Sequence, residues 1–142
     1  MAATASGLDQ LDPFRLPNTV RPVRYDVRLR PSLADATFTG AVRVGVAVAA
    51  PTEVFVLNAA ELTIVHCDVD GTSATWELEP ATERLFVTPA DTVGTGTSVV
   101  TIEFDGVLND KLRGFYRSTY VDDDGVDQVI ATTQMQSTDC RR

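Results

Sequence analysis

The chain contains one histidine, His66, and it stands next to one of the two cysteines, Cys67. A catalytic zinc site needs three protein ligands, and adjacent residues on a strand point to opposite faces, so this pair cannot readily share a metal. The structural reading, a buried cysteine beside a histidine turned the other way, is the simpler one. A serine or cysteine nucleophile would need that same histidine as its base, and no motif surrounds either partner. Gly94-Thr95-Gly96 resembles the start of a glycine-rich phosphate loop, but no third glycine, lysine or helix follows. Asp122-Asp123-Asp124 offers carboxylates for calcium. A calcium loop spreads its ligands over about a dozen residues and closes on a bidentate acid, whereas these three precede Gly125 in what reads as a solvated turn. No catalytic centre and no metal site are therefore expected within this chain. Cys67 and Cys140 are expected as free thiols, because two cysteines do not make the dense pattern of a secreted disulfide scaffold.

The elements that would position any site are strands. Tyr25, Val27 and Leu29 alternate with Arg24, Asp26, Arg28 and Arg30, the period of a half-buried strand, with Pro22 and Pro31 at its ends. Arg21, Arg24, Arg28 and Arg30 then form a charged outer face, to which no function is assigned. The alternation resumes at Phe38 and runs through Val42, Val44, Val46 and Val48, interrupted by Gly40 and Gly45 in the manner of a bend or bulge. Val54 to Leu57 reads as a strand covered on both faces. Leu62 to Val69 follows after the corner Asn58-Ala59-Ala60-Glu61, and Asp70-Gly71 supplies a hairpin turn. Further strands are expected at Trp76–Leu78, Arg84–Thr88 and Val100–Phe104, with a Gly-Thr loop over 91–97. Phe115–Val121 and Val126–Thr133 flank Asp122-Asp123-Asp124-Gly125 as a β-hairpin. No stretch before residue 134 sustains a helical period for the ten or more residues a globular helix needs. The fold class is all-β, antiparallel, with roughly eight or nine strands.

Composition limits the partners. The 142 residues suffice for one domain with its own core. Net charge is −8, and the single lysine, Lys111, stands beside eleven arginines, so no cationic stripe exists to neutralise a run of phosphates, and nucleic acid is excluded as a partner. Residues 1–13 read as a flexible leader without the basic start or apolar stretch of a signal peptide. No run approaches membrane-spanning length, which predicts a cytoplasmic protein with no membrane partner. The end, Gln136-Ser137-Thr138-Asp139-Cys140-Arg141-Arg142, holds helix-capping residues with nothing to cap, and the expectation is a fragment or an early stop, incomplete at its carboxy terminus.

A series of stretches, in order, carries a resemblance: Arg15-Leu16-Pro17 with Pro22-Val23-Arg24-Tyr25-Asp26-Val27, Phe38-Thr39-Gly40, Leu57-Asn58-Ala59-Ala60-Glu61-Leu62, the heptad Gly114-Phe115-Tyr116-Arg117-Ser118-Thr119-Tyr120, and the run from Ala131 to Arg142. Together they resemble the opening of the gluzincin zinc aminopeptidases, the group that includes the puromycin-sensitive and alanyl aminopeptidases. The resemblance implies a twisted, saddle-shaped or sandwich-like amino-terminal β domain over residues 14–142. That domain would be the substrate-docking part of an enzyme that releases amino-terminal residues from peptides. Gln134 matches a glutamine that contacts the first side chain of the peptide. Gln136 stands where many members have a glutamate that binds the free α-amino group, a position at which the leukotriene-hydrolase branch also carries glutamine.

The same resemblance places the zinc cofactor, its H-E-x-x-H ligands and the family's GAMEN-type loop beyond residue 142, so this chain alone is expected to be inactive. Its implied partners are peptide substrates and the catalytic domain of the same protein. For Gln134 and Gln136 the alternative is a strand end with polar residues facing solvent. For the chain as a whole the alternative is a stand-alone β-sandwich that binds another protein through a sheet edge.

Overall fold

The computed structural model describes residues 11–141; residues 1–10 of the expected leader and Arg142 lie outside the described residues. Among the described residues ten strands follow in chain order: β1 (Val20–Ser32), β2 (Thr37–Val48), β3 (Phe55–Asn58), β4 (Leu62–Val69), β5 (Thr72–Ser73), β6 (Thr75–Glu79), β7 (Arg84–Thr88), β8 (Gly96–Val107), β9 (Gly114–Val121) and β10 (Asp127–Gln134). Among the described residues the one helical element is a 3-10 turn at Asp139–Arg141, so the protein is all-β. Every strand read from alternation is present. The tenth, β5, spans two residues, too short for a period-two pattern to register.

Among the described residues these form three antiparallel sheets: a five-stranded one in the order β1-β2-β8-β4-β5, a three-stranded one in the order β3-β7-β6, and the hairpin β9-β10. Register explains the core. Val44 lies opposite Val100, which lies opposite Val69; in the next row on the same face, Val42, Ile102 and Cys67 align, and then Gly40, Phe104 and Ile64. This face packs on Phe55, Leu85 and Val87 of the three-stranded sheet. Burial of such side chains contributes roughly 1.5–3 kcal/mol each.

A bulge at Val65 decides which of the two chemistry-bearing neighbours enters that core. Ile64 pairs with Phe104 and His66 with Glu103, leaving Val65 as the extra residue. A strand without it would have aimed His66 inward. With it, Cys67 takes the core position and is fully buried, while the His66 side chain stays 41% exposed.

Three details depart from the sequence expectations. Gly40 and Gly45 mark no bulge in β2, which keeps continuous register with β8; the bulge lies in β1 at Val23, opposite Gly45 and Val46. In the stretch 54–57 only Phe55 is buried. β1 is not half-buried either. Tyr25 and Val27 share the core face of the sheet through their partners Val44 and Val42, yet they remain 60% and 58% exposed. The reason is position. β1 is the edge strand, and of its residues only Val20 packs against the core cluster.

Candidate functional site

The β9-β10 hairpin is held at its root. Gly114 opens β9 at φ 68°, a backbone angle that favours glycine, and pairs with Gln134, the last residue of β10. Asn109 organises the loop before it: its Nδ2 donates to the Arg113 carbonyl at 3.1 Å, its Oδ1 accepts from the Lys111 amide at 2.8 Å, and its carbonyl accepts from the Arg117 amide at 2.9 Å. Phe115 meets Phe38 edge-on at 5.1 Å, and Phe38 meets Phe104 at 6.3 Å, so a chain of rings ties the hairpin root to the main sheet.

At the hairpin's tip, Asp122 builds the turn. Its carboxylate accepts from the amides of Val126 (2.9 Å) and Asp124 (3.1 Å) and from the Gln128 side chain (2.8 Å). Hydrogen bonding, first from the Val126 amide and then from Gln128, holds this carboxyl below the usual range. Gly125 takes φ 80°, as an Asp-Gly step allows, in a five-residue connection. The carboxylate is thus engaged by its own turn.

Beyond Gln134 the chain folds back. The Asp139 amide donates to the Met135 carbonyl at 3.1 Å, the Gln136–Ser137 peptide is cis, and the Asp139–Arg141 turn ends against the 58–61 corner. There the Ala60 amide donates to the Arg141 carbonyl at 2.9 Å, the Ala59 amide donates to the Glu83 carbonyl at 2.9 Å, and Arg141 Nη1 meets Glu83 Oε2 at 3.2 Å. Arg141 Nε also donates to the Thr138 carbonyl at 3.0 Å. Ala59 and Ala60 are buried, and their small side chains let the segments approach this closely. Glu61 takes φ 58° and lies 4.0 Å from Arg113 Nη2. The stretches 58–61, 109–114 and 134–141, separated in sequence, therefore meet at one corner. Gln134 and Gln136 sit exposed on its rim, and neither side-chain amide is hydrogen-bonded among the described residues. Each offers a carbonyl acceptor and an NH2 donor pair to whatever approaches.

The other sequence candidates are not part of this corner. Burial, then the Asp68 charge, pushes the Cys67 thiol up to about 11, which makes it a poor nucleophile and metal ligand. His66 Nε2 lies 4.0 Å from Asp68 Oδ2 on the opposite, outer face. Among the described residues no three of His, Cys, Asp and Glu gather as a metal site, so the residues present do not fit a zinc ion. Gly94 belongs to the connection that Thr52 and Val93 close through paired backbone bonds of 2.9 Å, whereas Gly96 opens β8 opposite Val48. Both cysteines are free, Cys140 exposed. One arrangement escaped the sequence reading. A groove on the outer face of the large sheet has Arg28 and Arg30 on one wall and Glu103 and Asp105 on the other, with Thr39, Gly40 and Ala41 as its floor. Alternation indicated that these side chains face outward, but only the order β1-β2-β8 shows that they face each other across β2.

Residues 21–142 match the family described as the Peptidase M1 N-terminal domain. Aminopeptidase M1-B of Oryza sativa subsp. japonica is 41% identical over 136 residues, covering 90% of this chain and 15% of the relative. Aminopeptidase M1 of Arabidopsis thaliana is 37% identical over 137 residues, covering 90% and 16%. The glutamyl aminopeptidase of Homo sapiens is 33% identical over 140 residues, covering 91% and 14%. The chain spans about one-sixth of the length of the curated relatives it matches.

Proposed function

The chain belongs to the Peptidase M1 N-terminal domain family, and from that premise we propose that residues 14–142 form the amino-terminal, substrate-docking part of a zinc-dependent aminopeptidase. In this reading Gln134 contacts the first side chain of the peptide and Gln136 binds its free α-amino group. The zinc is held by the catalytic domain of the same protein, outside residues 1–142, and supplies an activated water there. The present chain contributes positioning, which accelerates a reaction only when the reacting groups are attached to the same framework. Residues 1–142 alone are then inactive, and the enzyme is a cytoplasmic one acting in peptide catabolism.

The observation that supports this reading best is the corner itself. The bond that the Ala60 amide donates to Arg141 and the bond that Glu83 accepts from Arg141 fix the segment that follows Gln134, so both glutamines are presented from an anchored rim. Preorganised polar groups on a fixed frame are what recognition of a peptide end requires.

The test is turnover of an alanyl or leucyl chromogenic amide, with zinc content. It is made on residues 1–142 and on the product of the uninterrupted reading frame that contains them. The expected outcome is about one zinc and cleavage for the longer product alone. Metal-free, inactive longer protein overturns the proposal and favours the alternative of a stand-alone β-sandwich that binds another protein through a sheet edge.

A further inference from the structure

Arg84 is 5% exposed, yet it makes no ion pair among the described residues. It opens β7, the central strand of the three-stranded sheet, with Asn58 opposite it on β3 and Glu79 on β6. Its neighbour Leu85 enters the core, so the Arg84 side chain leaves by the other face. There it meets a strap, residues 11–17. Arg84 Nη2 donates to the carbonyl of Asp12 and, at 3.4 Å, to that of Arg15. The Asp12 carboxylate closes the strap on itself, accepting from the amides of Phe14 at 2.8 Å and Arg15 at 3.2 Å. A guanidinium withdrawn from water needs such acceptors, because burying a charge without them is costly.

One residue earlier the backbone is strained. Glu83 takes φ 55°, in the left-handed region, without being glycine. A residue keeps such a conformation only where its surroundings over-determine it. On one side of Glu83 stands Arg84 under the strap. On the other, the Ala59 amide donates to the Glu83 carbonyl at 2.9 Å, and Arg141 Nη1 meets the Glu83 carboxylate at 3.2 Å. The contacts run in order along both chains: Asn58 pairs with Arg84, the Ala59 amide bonds the Glu83 carbonyl, and the Ala60 amide bonds the Arg141 carbonyl. Two adjacent residues, Glu83 and Arg84, therefore join the strap to the segment after Gln134.

We propose that Arg84 is a latch. With residues 11–17 strapped over it, Glu83 is kept in its left-handed conformation and the 135–141 segment stays docked; when the strap lifts, Glu83 relaxes and the segment loosens. Glu83 is the two-state element that strap and segment both bias. This coupling does not require an aminopeptidase. Its consequence for activity rests on the function proposed above: a lifted strap unfixes Gln136 and weakens binding of peptides with free amino termini. Arg84 touches no substrate in that reading and acts as a positioning residue.

Amide hydrogen exchange on the 142-residue chain decides it, with Phe14 and Arg15 reporting the strap, Ala59 and Ala60 the junction, and Asp139 the segment. Arg84→Met keeps most of the side chain's length and removes its donors. It is expected to speed exchange about fivefold at Ala60 and Asp139 as well as at the strap, while β2 and β8 amides keep their rates. Arg84→Lys, which retains the charge and a donor, is expected to return the rates at Ala60 and Asp139 toward those of the unsubstituted chain. Asp12→Ala opens the strap from its exposed side with Arg84 in place and is expected to give the same pattern, so the test survives an Arg84→Met chain that does not fold. In the product of the uninterrupted reading frame, Asp12→Ala is expected to raise KM for peptides with free amino termini at unchanged kcat. An unchanged KM beside the expected exchange pattern would support the latch and count against Gln136 alone. A loosened strap with unchanged rates at Ala59, Ala60 and Asp139 would overturn the latch, as would equal acceleration in β2 and β8.

Discussion

Gly40 and Phe104 lie opposite each other across β2 and β8, and the ring of Phe104 fills the space a side chain at Gly40 would need: a Cβ there would come within 2.4 Å of Phe104 Cε2. Two residues along, the relationship is repeated in reverse, with the Phe38 ring over Gly106. The two rings then meet each other edge-on, and Phe38 passes the contact to Phe115 at the hairpin root. Gly40→Ala forces a ring out of its place and is expected to cost about 1–3 kcal/mol, as overpacking does. Gly45→Ala in the same strand meets only Arg24 atoms, 3.8–4.0 Å away, and is expected to be neutral or slightly stabilising. Urea unfolding of both variants checks the contrast; equal midpoints would show that the ring can move aside at no cost.

How much was legible in the sequence follows from what alternation can and cannot report. Nine of the strands, the Asp70-Gly71 hairpin and the outward arginines of β1 are local patterns, readable from one strand at a time. Asp70 and Gly71 both take positive φ, as the dipeptide implied. Burial of β1 was misread because alternation says which side chains share a face, not whether another sheet covers that face; Tyr25 and Val27 share the core face and lie past its cover. The glycines of β2 were misread because a glycine that accommodates a ring and a glycine that permits a bulge look alike in sequence. Gln134 and Gln136 were reached only through resemblance. The bond from Ala60 to Arg141, which anchors their segment, joins residues far apart and has no sequence signal.

That anchor leads to a prediction about motion. Arg141→Ala removes the 3.2 Å pair with Glu83 and the bond to the Thr138 carbonyl. Both side chains of the pair are partly exposed, so global stability is expected to fall by less than about 1 kcal/mol. Local opening is the sensitive readout: amides over 135–141 are expected to exchange faster while those of β2 and β8 keep their rates. Unchanged exchange in the segment would mean that the backbone bond from Ala60 suffices to hold it.

The two thiols are expected to separate cleanly by reactivity. Cys67 is fully buried with its thiol pushed up to about 11, while Cys140 is exposed. A thiol reagent such as Ellman's at pH 8 should therefore titrate one equivalent in the native protein and two in guanidinium. Two fast equivalents without denaturant would contradict the burial that the Val65 bulge imposes.

Asp122 makes the hairpin tip acid-sensitive. Its folded pKa is depressed by the bonds it accepts, first from the Val126 amide, so the stabilisation is present above the unfolded value of 3.8 and is lost as pH falls through the lower folded value. Nuclear magnetic resonance of the Val126 amide from pH 5 downward is expected to show the bond weakening only below that range. Asp122→Asn removes the titrating group and should flatten the profile, and a profile that stays steep in this variant would point to another carboxyl.

Gln136 carries the prediction closest to the proposed activity. An amide meets a peptide's α-ammonium with a neutral carbonyl, whereas a carboxylate adds charge to the same bond. Hydrogen bonds to charged groups contribute roughly 1 kcal/mol more than neutral ones. Gln136→Glu in the product of the uninterrupted reading frame is therefore expected to lower KM for peptides with free amino termini about fivefold, with little change in kcat. For amino-acetylated peptides, which lack the cation, no improvement is expected. A gain of equal size on both substrates would place the effect on folding or on the catalytic step, and an unchanged KM would remove Gln136 from amine recognition. Either result leaves the contact of Gln134 with the first side chain to be tested separately, because that glutamine is presented by the last pair of the β9-β10 ladder and not by the turn that follows it.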